Sequence, residues 1–269
     1  MLRSLDIARL GQATRERLAG AAAGGRVHSV FDRAINVLWG DGRLVTFHGP
    51  APLAAPFAVA VREMPPRGAV TPAMPVAESD LGWAQAESVP LEIPRGRLAF
   101  DIDGLPSPAP GSALRAGPGL RAARALGQAL AERDALACAD AAWRLIGLGE
   151  GLTPSGDDCV VGALALIHRL APAWLAANEA LRDQLATAAM TRTTAVARDF
   201  LLEALEGRFA ERVRDLVIAF SDEKAALAAR ELLGMGATSG ADTLYGIRLA
   251  GRALVRPLPS RRVAASGAS

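Results

Sequence analysis

Residues 147–162 read GLGEGLTPSGDDCVVG, and residues 234–246 repeat the same pattern as GMGATSGADTLYG. We call these stretches the first motif and the second motif. Both open with Gly-x-Gly, continue into Ser-Gly-x-Asp and carry a glycine seven residues after the serine. Glycine ends helices, and a serine followed by an acid begins them. Each motif therefore predicts a glycine loop between the end of one helix and the start of the next.

The start of each predicted helix is interpreted as an aspartate version of the capping box. Ser155 or Ser239 is the expected N-cap, and Asp158 or Asp242 the expected third helical residue. Glycines one turn further on would let the two helices approach closely, so that their N-termini converge. Converging N-termini concentrate unpaired N–H groups, which predicts an anion-binding site. A plain helix start would account for either motif taken alone.

The two motifs supply most of the candidate site residues. Asp157 aligns with Ala241, so the shared architecture does not require its carboxylate. Asp157 and its neighbour Asp158 are therefore the candidate catalytic residues, as proton acceptors or as carboxylates that bridge a metal, with Mg²⁺ as the candidate cofactor. Charge stabilisation in the first helical turn is the structural alternative. The candidate anion-binding residues are Gly149, Gly151, Thr153, Ser155, Gly156, Thr193, Thr194, Thr238, Ser239, Gly240 and Asp242.

The patterns along the chain predict an α+β fold with a β-rich first part and a helical second part. Strands are expected at 27–31, 34–39, 43–48, 57–61 and 97–102, with a hairpin at Gly40-Asp41-Gly42 and proline-rich loops and edge strands at 65–94. Helices are expected around 120–146, 155–171, 174–190, 194–206, 209–219, 222–233 and 239–255. The expected domains are a helical lead-in at 1–25, a β-rich domain at 26–105, a helical domain at 119–256 and a tail at 257–269, with a linker at 104–119.

Composition excludes several classes of protein. The formal net charge is +2 and aromatic residues make up 4% of the chain, which does not favour a nucleic-acid binder. Charged residues and Pro172 interrupt the longest apolar stretch, so no membrane span is predicted. Cys138 and Cys159 lie apart in apolar helical contexts, which is typical of buried thiols in a reducing compartment. The expected location is the cytoplasm.

The first motif resembles the hallmark of a bacterial family of unknown function, a Gly-x-Gly-x-Gly-Leu-Thr-Pro-Ser-Gly-Asp-Asp run. Softer similarities are the VHSVFDRAIN segment at 27–36, the Thr-Thr pair at 193–194 and the second Ser-Gly-x-Asp loop. That family includes a subunit of a three-component oxamate carbamoyltransferase of anaerobic allantoin breakdown. The resemblance implies phosphorolysis of oxalurate to oxamate and carbamoyl phosphate, within a complex that contains an acyl-CoA-synthetase-like (FdrA-type) subunit.

Two alternatives to this carbamoyltransferase remain open on the sequence. One is a self-sufficient, Mg²⁺-dependent hydrolase built in a helical bundle, in which the aspartates after the glycines bind metal. The other is a non-catalytic subunit whose loops bind an anion to stabilise an assembly. Metal binding distinguishes the first alternative, and ligand binding without turnover distinguishes the second.

Overall fold

The computed structural model describes residues 5–20, 24–66, 68–83, 85–105 and 107–255. A curled β-sheet occupies the first part of the chain and a bundle of helices the second part, as the α+β prediction stated. None of the helices in these ranges is long and apolar enough to cross a membrane. Cys138 and Cys159 are free and buried, as predicted.

The sheet is ordered β6-β2-β3-β4-β5-β1-β7, and β8 also pairs with β1. The predicted hairpin is confirmed, because β3 and β4 pair antiparallel on either side of residues 40–43. The described residues of the proline-rich segment contribute the short strands β6, β7 and β8 at the ends of the sheet. The strands are β1 Leu5–Gly11, β2 Gly25–Val30, β3 Ala34–Trp39, β4 Leu44–His48, β5 Ala58–Val61, β6 Pro75–Val76, β7 Leu81–Gly82 and β8 Glu87–Val89.

Two features of the first part differ from the prediction. Residues 5–11 form β1, which pairs with β5, β7 and β8, and helix α1 (Gln12–Gly20) follows it. The prediction of a strand at 97–102 is wrong, because these residues form no strand and lead into a 3₁₀ turn at Ile102–Gly104. Ile102 is buried in the core of the helical part, so the side chain is used for packing on helices and not for strand pairing.

The helical part contains more breaks than predicted. The helix expected at 120–146 is two helices, because Arg133 adopts a left-handed conformation and Asp134 caps the next helix through the N–H of Ala137. The helix expected at 174–190 is likewise divided, into α5 and α6. The helices are α2 Gly117–Glu132, α3 Ala135–Leu145, α4 Ser155–Leu170, α5 Pro172–Ala176, α6 Glu179–Arg192, α7 Ala195–Leu205, α8 Glu211–Val217, α9 Asp222–Leu233 and α10 Ser239–Val255.

Helices α4 and α10 cross in direct backbone contact. A Cβ atom on Gly162 of α4 would overlap the carbonyl oxygen of Thr243 in α10, and a Cβ on Gly246 of α10 would overlap the carbonyl oxygen of Cys159 in α4. The two glycines therefore serve the close approach that the sequence predicted for them. Their helices begin at the two motifs, so this crossing determines how the motifs meet.

A buried ionic cluster joins the sheet to the helices. Glu203 of α7 has 1% of its surface exposed and accepts hydrogen bonds from Arg17 of α1, Arg43 beside β4 and Arg208, at 2.6, 3.1 and 2.5 Å. Replacing only one member of such a cluster leaves buried charges without compensation. The cluster therefore holds the two parts of the chain in one arrangement.

Further contacts of the same kind lie on either side of this cluster. Arg9 of β1 binds both carboxylate oxygens of Glu211 at 2.8 and 3.1 Å, and the backbone N–H of Leu44 donates to buried Asp199 at 2.5 Å. The segment expected as a linker also packs on the helical part, where Leu114 is fully buried.

We expect Gly162→Ala to lower the free energy of unfolding by about 3 kcal/mol or more, because the added methyl group collides with a backbone atom that cannot move aside. Gly127→Ala in α2 is the control, since the atoms nearest to its Cβ belong to the flexible side chain of Leu249, the first at 3.2 Å. We expect that change to stay within about 1 kcal/mol. Chemical denaturation measures both, and equal effects would contradict the close crossing of α4 and α10.

We expect Glu203→Gln to destabilise the protein by about 3 kcal/mol or more, because three arginines lose their buried counter-charge. The control is Glu206→Gln, which removes the exposed ion pair with Arg182 and costs at most about 1 kcal/mol. Urea unfolding of the two variants provides the comparison. A small loss in Glu203→Gln would show that the cluster does not hold the sheet and helices together.

Candidate functional site

The two motifs meet at the starts of α4 and α10. The hydroxyl oxygens of Thr153 in the first motif and Ser239 in the second lie 2.7 Å apart, in hydrogen-bond contact. The loop of the first motif is exposed from Gly149 to Leu152, and that of the second is exposed at Gly236 and Ala237. The predicted convergence of two helix N-termini is therefore present, and it opens toward solvent through both glycine loops.

The capping-box prediction required Ser155 and Ser239 to cap their own helices, and neither serine does so. The N-cap of α4 is Pro154, and Ser155 is the first helical residue, with its hydroxyl directed to Asp242 of the other motif. Ser239 begins α10 and its hydroxyl is directed to Asp158. The prediction of a capping box is wrong because the serine of one helix pairs with the aspartate of the other helix, as Ser155 with Asp242 and Ser239 with Asp158. The serine and aspartate of each motif thus bind the two helices together.

The glycine of each Ser-Gly pair, Gly156 or Gly240, has the same role in both motifs. A Cβ atom on Gly156 would overlap the carbonyl oxygen of Leu145 at the end of α3, and one on Gly240 would overlap that of Leu232 near the end of α9. The N–H groups of these glycines donate to loop carbonyls, at 2.9 Å for Gly156 and 3.0 Å for Gly240. Both N–H groups are therefore engaged within the loops, and both glycines pack against the preceding helix.

Unpaired backbone N–H groups are concentrated in the loops themselves. Within the described ranges, the N–H groups of residues 149–153 and 236–239 donate to no protein acceptor. Gly149, Gly151 and Gly236 have φ of 125°, 90° and 62°, a region that glycine adopts without strain. Unpaired N–H groups beside two helix N-termini are the arrangement that favours an anion.

Asp157 joins three segments around the first motif. Its carboxylate accepts hydrogen bonds from the N–H of Gly147 at 3.1 Å and from the hydroxyl of Thr193 at 2.7 Å. The neighbouring Thr194 caps α7 and donates to the carbonyl oxygen of Leu152 at 2.5 Å. Asp157, Thr193 and Thr194 thus hold the exposed loop in place, which gives Asp157 a role that Ala241 does not need in the second motif.

Burial raises the pKa of Asp157 to about 6, against the opposing effect of the hydrogen bonds from Thr193 and Gly147. Burial also raises the pKa of Asp158 well above its ordinary range, and the nearby carboxyl of Asp242 adds to this increase. Asp158 and Asp242 have 9% and 0% of their surface exposed, and the Oδ2 atom of each is buried without a hydrogen-bond partner.

Ser112 is a member of the site that the sequence did not reveal. It lies in the segment expected as a linker and donates its hydroxyl to Oδ1 of Asp242 at 2.5 Å. No local pattern marks it, because the contact spans 130 residues of chain. Arg192 lies near the first motif but stacks on Trp143, with its guanidinium carbon 5.0 Å from the ring centroid.

The predicted residues are therefore brought together, although their contacts differ from those expected. In the described part of the chain, no group of three or more His, Cys, Asp and Glu residues has the arrangement of a metal site. Asp157 and Asp158 have different partners, one toward α7 and the other toward α10. The catalytic and metal-binding roles suggested for this pair remain predictions.

Two family profiles match the chain. The profile described as oxamate carbamoyltransferase subunit AllH matches residues 145–251, which include both motifs, and the profile described as AllH family N-terminal domain matches residues 4–104. The interval between the two matches, residues 105–144, contains the connecting segment, α2 and most of α3. No solved structure matches the chain.

The raised pKa of Asp157 predicts a pH-dependent stability. The folded protein retains this proton up to about pH 6, whereas the unfolded chain loses it near pH 4, so stability falls as the pH rises through this window. In Asp157→Asn we expect this fall to be smaller by about 2–3 kcal/mol. Urea unfolding at pH 4, 5, 6 and 7 tests the difference, with Asp183→Asn, an exposed change on α6, as the control. Parallel curves for wild type and Asp157→Asn would contradict the assignment.

Proposed function

The chain belongs to the AllH family, and we propose that it is the oxamate carbamoyltransferase subunit that binds the small anionic substrate, at the two glycine loops. The single observation that carries this proposal is the set of unpaired N–H groups in residues 149–153 and 236–239, beside two converging helix N-termini. Neutral N–H donors bind carboxylate and phosphate oxygens without a buried counter-charge.

The proposed reaction is the conversion of oxalurate and phosphate to oxamate and carbamoyl phosphate. A phosphate oxygen forms a bond to the ureido carbonyl carbon, the bond from that carbon to the oxamyl nitrogen breaks, and the nitrogen gains a proton. All four molecules are anions, so a loop that binds carboxylate or phosphate suits both directions. We propose that Gly149, Gly151 and Thr153 provide N–H donors on one side and that Thr238 and Ser239 provide them on the other.

Asp157, Thr193 and Thr194 are proposed to position the first loop. Their hydrogen bonds connect Gly147, Leu152 and the start of α7, so a change in any of them shifts the donors of the loop. Four further residues are proposed to act without contacting the substrate, by holding α4 and α10 in their relative positions: Ser155, Gly156, Gly240 and Asp242. Displacement of donors by small distances weakens catalysis and binding strongly.

The family description names a subunit, so we propose a hetero-oligomer as the active form. The proposed companion is the acyl-CoA-synthetase-like (FdrA-type) subunit, and the complex acts in cytoplasmic allantoin and purine nitrogen metabolism. The isolated chain is then expected to bind the anion without producing carbamoyl phosphate. Turnover by the chain alone would instead favour the self-sufficient hydrolase.

Thermal melting of the purified chain with phosphate, carbamoyl phosphate, oxamate or oxalurate tests the proposed site. We expect an increase of roughly 5 °C or more when the ligand exceeds its dissociation constant about a hundredfold. Pyruvate has the charge and shape of oxamate with a methyl group in place of the amide NH₂ group, so comparison of the two separates anion binding from recognition of the amide nitrogen. Sodium chloride at equal ionic strength is the control for general salt effects.

The matched variants for this experiment are Gly151→Ala and Gly42→Ala. Both glycines have positive φ, 90° and 78°, and in both a Cβ atom would meet nothing within 4 Å, so the two changes strain the backbone similarly. We expect Gly151→Ala to abolish the ligand-induced increase and Gly42→Ala, in the hairpin, to retain it. Equal responses of the two variants, or no increase in the wild type, would overturn the binding site at the loops.

A further inference from the structure

The carboxyl groups of Asp158 and Asp242 form a buried acidic pair between the starts of α4 and α10. Both side chains are at least nine-tenths buried, and in each the Oδ2 atom has no hydrogen-bond partner among the described residues. Buried polar atoms in folded proteins nearly always have a partner, so two unpartnered carboxylate oxygens at one place require an explanation. The nearby carboxyl of Asp242 disfavours ionisation of Asp158.

Within the part of the chain that the structure describes, no basic side chain compensates this pair. Among the ion pairs of the described ranges, neither Asp158 nor Asp242 has an arginine, lysine or histidine partner. Glu203 is similarly buried, but it forms ion pairs with three arginines that stabilise its negative charge. Asp158 and Asp242 have no such counter-charge in these ranges. Two helix N-termini stabilise negative charge by only about 1 kcal/mol each, less than the cost of burying a carboxylate.

The side chains that hydrogen-bond to this pair carry hydroxyl groups. Ser112 donates to Oδ1 of Asp242, the hydroxyl of Ser155 is directed to the same carboxyl, and the hydroxyls of Ser239 and Thr153 are directed to Asp158. Carboxylate and hydroxyl oxygens are the ligands that a hard cation prefers. Asp158 keeps 9% of its surface exposed, whereas Asp242 is fully buried.

We propose that Asp158 and Asp242 together bind one hard divalent cation, Mg²⁺ or Mn²⁺, between the two motifs. The position differs from the Asp157–Asp158 pair suggested by the sequence, because both oxygens of Asp157 already accept hydrogen bonds from Gly147 and Thr193. Each motif supplies one carboxylate, so the cation links the N-terminal ends of α4 and α10. The cation also stabilises the ionised form of both carboxyls, which burial otherwise disfavours.

The proposal does not depend on the proposed function, and the experiment separates the two. The full chain is freed of metal with EDTA and titrated with Mn²⁺ alone, while the electron paramagnetic resonance signal of free Mn²⁺ is followed. We expect one site per chain, with displacement by Mg²⁺. Asp158→Asn and Asp242→Asn should each weaken the binding about tenfold or more, because each removes a charged ligand.

Asp157→Asn is the matched control, since it makes the same change at the adjacent residue, and we expect it to weaken Mn²⁺ binding much less than either ligand change, because its carboxylate acts on Asp158 only through space. Circular dichroism confirms that each variant is folded. The proposal is overturned if the wild type binds no Mn²⁺ at millimolar concentrations, which would indicate a shared proton in place of the cation. It is equally overturned if both Asn variants bind as the wild type does, or if only Asp157→Asn loses binding.

Adding oxamate to each titration then addresses the proposed function. Tighter oxamate binding in the presence of Mg²⁺ supports both proposals, because binding linkage is reciprocal. Cation binding without any effect of oxamate would leave the cation site in place and remove support for the anion site alone. Oxamate binding in a chain that binds no cation would do the reverse.

Discussion

The contact between α4 and α10 is the constraint on which the rest of the helical part depends. Gly162 and Gly246 leave no room for a side chain between the two backbones, so the helices have a single depth and angle of approach. Packing in protein interiors tolerates small changes in apolar side chains better than displacement of backbone atoms. Both helices begin at a glycine loop, and a fixed crossing therefore also fixes the distance between the loops. The site owes its geometry to a contact outside it.

The sheet reaches this geometry through α7. Glu203 and Asp199 on that helix bind groups beside the β3–β4 hairpin, and the start of α7 carries the threonines that hold the first loop. One helix thus contacts the sheet along its length and the first motif at its N-terminal end. The N-terminal part is accordingly a support for the site through α7, and the buried charges make that support specific.

Much of this was readable from the sequence, and the omissions have physical reasons. The hairpin at 40–42 and the glycines of α4 and α10 follow local rules, so their predictions were confirmed. The capping-box prediction was wrong because the sequence pattern is the same whether each serine pairs with the aspartate of its own helix or with that of the other helix. Only the tertiary contact between α4 and α10 selects the pairs Ser155–Asp242 and Ser239–Asp158. Strand β1 and Ser112 were missed because they contribute through partners that are distant along the chain, which no window of sequence displays.

The crossed pairing of serines and aspartates has a consequence for how this protein can diverge. α3–α4 and α9–α10 are two copies of one helix–loop–helix unit, yet Ser155 serves the aspartate of the other copy and Ser239 serves Asp158. Neither copy is therefore a self-sufficient module that evolution can exchange or delete. Among relatives, Ser155 should vary together with Asp242 and Ser239 with Asp158, more closely than either serine varies with the aspartate three residues after it. Each copy of the unit therefore needs the serine of the other copy to hydrogen-bond its own aspartate.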